Sequence, residues 1–457
     1  MKNDTKSVKR SSFTGKIGFV LAAAGSAVGL GNIWRFPYLA AKYGGGIFLL
    51  VYIALSVTFG FSLMVAEIAI GRKSGKSAIS AFETLDTRFK FLGVLASMVP
   101  IIILPYYSVI GGWVLKYLVG FAKGAAGEMA GSDFFGDYIA NVGEPLLWFA
   151  VFIGATALVV LFGVEKGIEK VSKVLMPVLI ILIFGIAIYT IAFVDGAWDG
   201  VVYYIKPDFS KFSIMTVVAA VGQLFYSMSL AMGIMITFGS YMKKEISIEK
   251  SVKQIEIFDT GVAFLAGLMI IPAVFAFSGG NESALGQGPG LMFVTLPKVF
   301  DSMPGGGVIG AVFFFMVLLA ALTSSISLME TIVSIFMDKF KLDRRLSCLI
   351  VLGVSVVLGI PSSLGYSVWS DVRILNMQIL DFFDFASNSI MMPIIAFITC
   401  IFVAYVLKPG TIEEEVTLGG EFKMKELYRV VVRYVAPVCI IAILVSAVLS
   451  AFGVVSI

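Results

Sequence analysis

The stretch Ala24-Gly-Ser-Ala-Val-Gly-Leu-Gly-Asn32 places three glycines and an asparagine inside an apolar segment that is long enough to cross a bilayer. Glycine weakens a helix by roughly 1 kcal/mol relative to alanine, so a continuous lipid-facing helix is a poor fit to this stretch. Backbone that leaves the helix at membrane depth is tolerated only where it is buried or lines a cavity. The interruption therefore predicts a binding site within the membrane.

Composition places the chain among polytopic membrane proteins. Its residues are 59% hydrophobic and 14% charged, with a mean hydropathy of +0.97, far outside the range of soluble domains. The sequence has no histidine, which removes the commonest general base and metal ligand and argues against most enzymes. The three cysteines stand apart in apolar context, without the spacing of metal ligands or of a disulfide framework.

Eleven apolar windows are long enough to be transmembrane helices, and an odd number places the two termini on opposite faces. Lysine and arginine are concentrated in the N-terminal segment and in the loops near 72–90 and 339–345. The positive-inside rule therefore predicts a cytoplasmic N-terminus and an external C-terminus, in the inner (plasma) membrane of the cell. The net charge of +4 follows from this bias and predicts no nucleic-acid partner. The predicted spans are 16–38, 46–70, 92–120, 146–163, 172–194, 214–240, 255–278, 308–337, 346–366, 376–406 and 429–455.

A second interruption lies in the sixth span, where Ser227-Met-Ser-Leu-Ala-Met-Gly233 again puts small and hydroxyl residues at mid-membrane. Broken helices at corresponding positions of two halves are typical of secondary transporters with inverted repeats. Half-helix N-termini offer N–H groups to an anion and unwound carbonyls face cations, so a zwitterion and sodium ions suit such a site. Close packing of helices through small residues is the alternative explanation. The predicted divisions are a cytoplasmic gate segment (1–15), a first five-helix repeat (16–194), a second, inverted repeat (195–407), and a cytoplasmic loop with the eleventh helix (408–457).

The same residues resemble the signature of a known family. Gly25-Ser-Ala-Val-Gly-Leu-Gly-Asn-Ile-Trp-Arg-Phe-Pro37, followed by Gly44-Gly-Gly46, is closely similar to the first helix of the neurotransmitter:sodium symporter family. The similarity continues through Tyr106-Tyr107, residues 222–229, Thr323-Ser-Ser325 and Asp384, so it covers nearly the whole chain. Eleven helices resemble the shorter bacterial branch. The resemblance implies an all-α membrane protein in which helices 1–5 and 6–10 form an inverted repeat, helices 1 and 6 are broken, and sodium drives symport by alternating access.

Two sodium ions are implied by the resemblance, each held by oxygen ligands. The second site of the family corresponds here to the carbonyls of Gly25, Val28 and Ala320 and the hydroxyls of Thr323 and Ser324. Neutral donors can hold a monovalent cation, whereas a divalent ion usually requires carboxylates. Hydroxyls that bond back to their own helix are the alternative explanation for Thr323-Ser-Ser325. The first site corresponds to Ala27, Asn32, Ser227 and Asp259.

Asp259 departs from the family pattern, because many relatives carry asparagine at this position of the seventh helix. An ionised carboxylate in the hydrocarbon core is costly, and a sodium ion beside it would compensate its charge. One turn later stands Ala263, where some relatives have a second acid and chloride-dependent relatives have serine. We hypothesise that Asp259 supplies the negative charge that others obtain from chloride, with proton countertransport as a corollary. A structural role, as the partner of a helix-end donor, is the alternative.

The first break also implies a receptor for an α-amino acid. The N–H groups of Leu30 and Gly31 with the Tyr107 hydroxyl would hold a carboxylate, and the carbonyls of Ala27, Tyr226 and Ser227 with the Ser229 hydroxyl would hold an ammonium. Relatives that carry amines have aspartate where this chain has Gly29, so an amine would leave its charge unpaired here. The side-chain subsite is expected to be apolar and rich in methionine, which favours a hydrophobic substrate, aromatic ones included, without identifying it. Its predicted lining is Ile103, Tyr107, Tyr226, Ala231, Met232, Met235, Ser325 and Leu328.

Gates follow from the resemblance because alternating access requires that the two sides never open together. Arg35 with Asp384 corresponds to the outer charged pair, above an aromatic lid of Tyr107 and Tyr226. Exposed ion pairs contribute only about 0–1 kcal/mol, which suits a contact that breaks in every cycle. The inner closure corresponds to Arg10 with Asp338, supported by Phe13 and Tyr241. Glu67 and Glu330 are further intramembrane acids without an assigned role.

Two other classes of function use the same features. A membrane-embedded hydrolase would need a base near Thr323-Ser-Ser325, and the sequence offers none at useful spacing. An amino-acid-gated channel or a membrane sensor could use the same pocket without coupled transport. The sequence thus predicts a sodium-coupled symporter whose partners are an amino acid and the lipid bilayer, with no evident need for a protein partner.

Overall fold

The computed structural model describes residues 12–279 and 289–451, and nearly all of them are helical. Nine continuous helices in these ranges are long and apolar enough to cross a membrane. A tenth crossing is formed by α1 (Lys16–Ala27) and α2 (Gly31–Lys42), which meet at a bend of 55°. The other helices that build the membrane domain are α3 (Gly46–Ser74), α4 (Thr87–Ala122), α5 (Gly143–Leu161), α6 (Val164–Phe193), α7 (Ile214–Ser227), α8 (Ile234–Gly239), α9 (Ile248–Phe277), α10 (Gly306–Phe340), α11 (Arg344–Leu364), α12 (Ile379–Val406), α13 (Pro409–Thr417) and α14 (Lys425–Leu449).

The prediction of an all-α membrane protein is confirmed, with nine continuous spans and one bent pair in the described ranges, and the count of eleven spans stays a prediction. The sixth predicted span is the pair α7 and α8, of which α7 has only 14 residues and is too short to cross alone. In the described part of the chain β-structure is limited to two isolated bridges, Gly45 with Pro207 and Ile374 with Met377. Shorter helices connect the spans, at Ala78–Leu85, Ala126–Met129, Phe134–Ala140, Ala197–Ile205 and Leu296–Ser302. The division into gate segment and repeats stays a prediction.

The first break comes where helical hydrogen bonding stops at Val28. Its backbone is extended, with φ −74° and ψ 103°, and the chain resumes a helix only at Gly31. Two side chains of other helices tie this segment in place: Gln223 Nε2 donates to the Gly31 carbonyl at 3.0 Å, and the Ser229 hydroxyl donates to the Ser26 carbonyl at 3.0 Å. Both donors belong to the region of the second break, so the two interruptions face each other.

The second break is built from left-handed backbone. Ser229, Ala231 and Gly233 have φ of 54°, 59° and 75°, and such a conformation costs a residue other than glycine roughly 1–2 kcal/mol. Glu67 on α3 holds the segment, because its Oε1 accepts the N–H of Ala231 at 2.7 Å. Glu67, which has no assigned role in the sequence analysis, thus accepts a hydrogen bond from the Ala231 N–H. In a continuous helix that N–H would bond to a carbonyl of the same helix.

Helices α3 and α8 pack backbone against backbone through two glycines. A Cβ on Gly71 would lie 1.9 Å from the Ile236 carbonyl oxygen, and a Cβ on Gly239 would lie 2.3 Å from the Ile68 carbonyl oxygen. No side chain fits at either position, because the neighbouring atoms belong to the main chain and cannot rotate away. Glycine at both positions is therefore required by the contact between the two helices.

At the end of α3, the buried Arg72 guanidinium joins three parts of the chain. Its Nε donates to Glu415 Oε1 on α13 at 2.7 Å, its Nη2 donates to the Glu415 carbonyl, and its Nη1 donates to the Ile246 carbonyl at 2.7 Å, in the loop between α8 and α9. Both side chains of the pair are almost fully buried. Removing one partner of such a pair would leave an uncompensated buried charge, so this cluster fixes the relative positions of α3, the loop and α13.

We predict that Gly71→Ala destabilises the protein, because its methyl group would overlap the backbone of α8. Overpacking of this kind costs about 1–3 kcal/mol. The change should lower the midpoint of thermal unfolding in detergent by several degrees. Gly154→Ala on α5 is the matched control, because a Cβ there meets nothing within 4 Å and alanine favours the helix. Equal midpoints for the two variants would contradict the contact between α3 and α8.

Candidate functional site

The two breaks line one cavity, together with α4 and α10. Its walls include most residues of the predicted substrate site: Ala27, Leu30, Gly31, Ile103, Tyr107, Tyr226, Ser227, Ser229, Met232 and Leu328. Ser26, Gly29, Asn32, Ile234 and Ser324 line it as well. Long-range folding thus brings residues separated by up to three hundred positions into one buried space.

Three residues of the predicted substrate site, Ala231, Met235 and Ser325, do not line this cavity. The Ser325 hydroxyl bonds instead to Thr156 Oγ1 on α5, at 2.9 Å, and to the Leu322 carbonyl at 3.0 Å. Ala231 is held by Glu67 through its N–H, and its left-handed backbone belongs to the turn beside the cavity. Contact of Ala231, Met235 and Ser325 with a substrate side chain stays a prediction.

Donors for an anion are found where α2 begins. The Leu30 N–H donates to the Tyr107 hydroxyl at 3.4 Å, and the first N–H groups of a helix lack partners within their own helix. Gly29 leaves no room for a side chain, since a Cβ would lie 2.7 Å from Ser324 Oγ and 3.1 Å from the Tyr107 hydroxyl. The arrangement can accept a small carboxylate from a ligand, and it has no space for a carboxylate supplied by residue 29.

Carbonyl oxygens of the first break converge on α10. The Ser324 hydroxyl lies 3.4 Å from the Gly25 carbonyl, 3.2 Å from the Val28 carbonyl and 3.2 Å from the Ser26 carbonyl. Thr323 Oγ1 lies 3.0 Å from the Ala320 carbonyl on the same helix. Ser324 thus brings the carbonyls of Gly25, Ser26 and Val28 to α10. The Thr323 hydroxyl bonds back to its own helix, as the alternative explanation expects, and the sodium site stays a prediction. A shell of neutral oxygens is the donor set that suits a hard monovalent cation.

Asp259 is fully buried at the centre of a polar cluster. Its Oδ1 accepts the Ser227 hydroxyl at 2.5 Å and the Asn32 amide at 2.8 Å. Its Oδ2 accepts the Tyr52 hydroxyl at 3.2 Å. Three of the residues predicted for the first sodium site thus meet, and Ala27 lines the adjoining cavity. Tyr52 is not among the residues that the sequence predicts for this cluster. A tyrosine within an apolar span indicates that its hydroxyl has a hydrogen-bond partner, but the sequence does not identify the partner.

Asp384, the acid predicted for the outer gate, is held by Tyr106 on α4 and Asn388 on α12. Its Oδ1 accepts the Tyr106 hydroxyl at 3.0 Å and the Asn388 amide at 2.6 Å. The Arg35 guanidinium lies over the Tyr226 ring, 5.5 Å from its centre. Within the ranges that the structure describes, Arg35 and Asp384 form no direct ion pair, so their gate pairing stays a prediction. Asn388, which sequence reasoning missed, fixes the carboxylate one turn away on its own helix.

Phe13, predicted for the inner gate, packs edge-on against Tyr241 and Phe238, and its N–H donates to the Tyr241 carbonyl at 3.2 Å. The Tyr241 hydroxyl donates to Glu330 Oε1 at 2.7 Å, and Glu330 is also paired with Arg344. Phe13 and Tyr241 are thus brought together as predicted. The pairing also gives the second unexplained acid, Glu330, a partner.

Asp338, the acid predicted for the inner gate, accepts the Ser77 N–H at 2.7 Å. Its expected partner Arg10 lies outside the described residues, so that pair stays a prediction. Nearby, Glu83 accepts hydrogen bonds from Lys339, at 2.7 Å, and from Lys90, and these bonds lower the pKa of the Glu83 carboxyl.

Comparison with known proteins adds independent findings. The chain matches the family described as "Sodium:neurotransmitter symporter family" over residues 10–125 and 129–454. It is 35% identical to an uncharacterised sodium-dependent transporter, YhdH, of Bacillus subtilis, over 94% of this chain and 96% of that protein. An uncharacterised sodium-dependent transporter of Haemophilus influenzae is 31% identical, over 97% of this chain and 99% of its own.

A more distant relative and a solved structure also match this chain. A Drosophila melanogaster protein named sodium- and chloride-dependent GABA transporter ine is 27% identical over 91% of this chain and 49% of its own length. Among solved structures, MhsT in complex with L-phenylalanine superposes with a TM-score of 0.86 at 38% identity, covering 96% of this chain and all of MhsT.

We predict that Tyr52→Phe weakens the cluster around Asp259, because it removes the donor to Asp259 Oδ2 and to Ser227 Oγ. Loss of one hydrogen bond to a charged group costs about 1.5–3 kcal/mol. The variant should show a lower thermal unfolding midpoint and should need several-fold more sodium for the same stabilisation. Tyr434→Phe, at an exposed position on α14, is the control and should match the unmodified protein. A sodium dependence unchanged by Tyr52→Phe would contradict this role.

Proposed function

The chain belongs to the sodium:neurotransmitter symporter family, and we propose that it carries a hydrophobic α-amino acid across the membrane together with sodium ions. It is a multi-pass membrane protein, and membership in a transporter family supports transport rather than catalysis. The proposed orientation has a cytoplasmic N-terminus and an external C-terminus, so that the inward sodium gradient drives uptake.

One observation carries the proposal: the two breaks line one cavity, with the N–H groups at the start of α2 and backbone of both breaks in the same space. The N–H groups of Leu30 and Gly31 and the Tyr107 hydroxyl would bind the substrate carboxylate. The carbonyls of Ala27, Tyr226 and Ser227 would accept its ammonium. Opposite charges on one small ligand are then matched by the two kinds of backbone group that the breaks expose.

The side-chain subsite supports an apolar substrate. Ile103, Met232 and Leu328 line the cavity with Tyr107 and Tyr226. Burying an apolar side chain contributes about 1.5–3 kcal/mol, while a charged side chain would meet no partner among these residues. The structural relative MhsT was solved with L-phenylalanine, which is consistent with a substrate of this class.

Two sodium ions fit the donors. We assign one to the carbonyls of Gly25, Val28 and Ala320 with the hydroxyls of Thr323 and Ser324. The other would bind at Ala27, Asn32, Ser227 and Asp259, beside the substrate carboxylate. Because the carbonyls of Gly25 and Val28 come from the break and the hydroxyls come from α10, an ion at the first of these sites would hold α1 against α10. Sodium binding is thereby coupled to the conformation of the broken helix.

Alternating access would use the two contact regions on either side of the cavity. Tyr107 and Tyr226 cover the outer side under Arg35, with Asp384 as the acidic member. On the inner side Phe13 and Tyr241 close the path, with the expected pair of Arg10 and Asp338. Each region is built from few contacts, so one can open while the other stays closed at modest energetic cost.

We predict sodium-gradient-driven accumulation of hydrophobic amino acids in proteoliposomes, measured against a panel of all twenty. Ser324→Ala should raise the sodium concentration at half-maximal uptake by about tenfold or more, because it removes a ligand on which the carbonyls converge. The matched control is Ser327→Ala, one turn away, whose hydroxyl only bonds back to the Thr323 carbonyl at 3.0 Å. Saturable binding without accumulation would contradict symport and favour an amino-acid-gated channel or a sensor.

We further predict that chloride is not required. Asp259 would provide a fixed negative charge beside the first sodium ion, which a chloride ion provides in relatives that depend on it. Uptake should therefore proceed at an unchanged rate when chloride is fully replaced by gluconate. Asp259→Asn should remove that charge and weaken sodium affinity under both conditions. A loss of uptake in gluconate by the unmodified protein would contradict this assignment.

A further inference from the structure

A groove outside the substrate cavity lies between α3 and α9 and opens on the membrane side. Its volume is about 690 Å³. Apolar side chains of Ile53, Val57 and Ile257 form its walls, and Ile257 is 71% exposed. Since both helices cross the membrane, these exposed apolar side chains face lipid, and whatever fills the groove must come from the bilayer.

A few polar side chains interrupt the otherwise apolar lining of the groove. Glu256 lines it with a side chain that is only 5% exposed, and its Oε1 has no hydrogen-bond partner in the described part of the chain. The Ser56 and Thr260 hydroxyls lie beside it, 3.2 Å from each other. A buried carboxylate oxygen without a donor is unfavourable. A donor arriving through the groove would remove this penalty.

The charges at the groove favour a cation. Lys253 also lines it, but its ammonium is paired with Glu249 at 2.5 Å. Lys253 is therefore engaged by Glu249 and, in the part of the chain that the structure describes, is not bonded to Glu256. An ammonium that enters the groove would thus supply the partner that Glu256 Oε1 lacks there.

Glu256 lies at a depth that a lipid headgroup can reach. Helix α9 has 30 residues, which gives it a length of about 45 Å and leaves roughly 7 Å beyond each side of a 30 Å hydrocarbon core. Glu256 is about 12 Å from the start of the helix at Ile248. Its carboxylate is thus within about 5 Å of the hydrocarbon boundary, where headgroups and acyl chains meet.

We propose that this groove binds an aminophospholipid, with its primary ammonium donating to Glu256 Oε1 and one acyl chain lying along Ile53, Val57 and Ile257. A primary ammonium offers three N–H donors, enough for Glu256 and for the two hydroxyls beside it. A choline headgroup carries the same charge and has no N–H to donate. Selectivity for ethanolamine over choline lipids is therefore the property that distinguishes this site from unspecific contact with lipid.

The test uses native mass spectrometry of the purified full-length protein after removal of endogenous lipid. Dioleoyl phosphatidylethanolamine, its N-methyl and N,N-dimethyl derivatives, and dioleoyl phosphatidylcholine are added at equal concentrations. Retention should fall stepwise as N–H donors are replaced by methyl groups, with about a tenfold difference between the two ends of the series, as expected for loss of a charge-assisted hydrogen bond. Equal retention of all four lipids would overturn the proposal.

A substitution tests whether the lipid preference arises at Glu256. Glu256→Gln should abolish the preference for ethanolamine over choline, whereas Glu426→Gln, which changes the same charge at an exposed position of α14, should preserve it. Substrate-induced thermal stabilisation of each variant verifies its fold. If Glu256→Gln does not fold, the series of methylated lipids on the unmodified protein still tests the preference for ethanolamine over choline headgroups. A folded Glu256→Gln protein that keeps the preference would overturn the assignment to this groove.

Discussion

The constraint on which the structure depends is that buried backbone polar groups must find partners. Helices satisfy this requirement internally, and the two broken helices do not. In the first break the exposed groups face a cavity and the hydroxyls of α10. In the second they are partly satisfied by Glu67. The difference is informative: groups already paired within the protein support the fold, while groups left facing the cavity are available to ligands.

The sequence predicted the spans and both breaks because each depends on local chemistry. Apolar length identifies a membrane helix, and glycine or small polar residues at mid-membrane identify an interruption. The grouping of Ser324 with Gly25 and Val28 was reached only through resemblance to a family. Those residues are about 300 positions apart, as the hydrogen bond between Ser324 and Gly25 illustrates, and no periodicity connects them.

The residues that sequence reasoning missed are partners across the fold. Tyr52, Asn388 and the contact made by Glu67 depend on which helices become neighbours, and the Glu67 bond joins positions 164 residues apart. A buried polar side chain predicts that a hydrogen-bond partner exists, but the sequence does not identify which residue that partner is. Ser325 illustrates the same point, because its hydroxyl bonds to Thr156 on α5, a neighbour that the sequence alone does not indicate.

The glycine contact between α3 and α8, together with the Arg72 cluster, has a mechanical consequence. With main-chain atoms touching and a buried guanidinium bridging to the loop after α8, α8 and the end of α3 form one tightly packed unit. The connection from α7 to α8, residues 228–233, is non-helical and includes left-handed backbone at Ser229, Ala231 and Gly233. We therefore expect a displacement of α8 to be taken up at this connection and to carry the end of α3 with it.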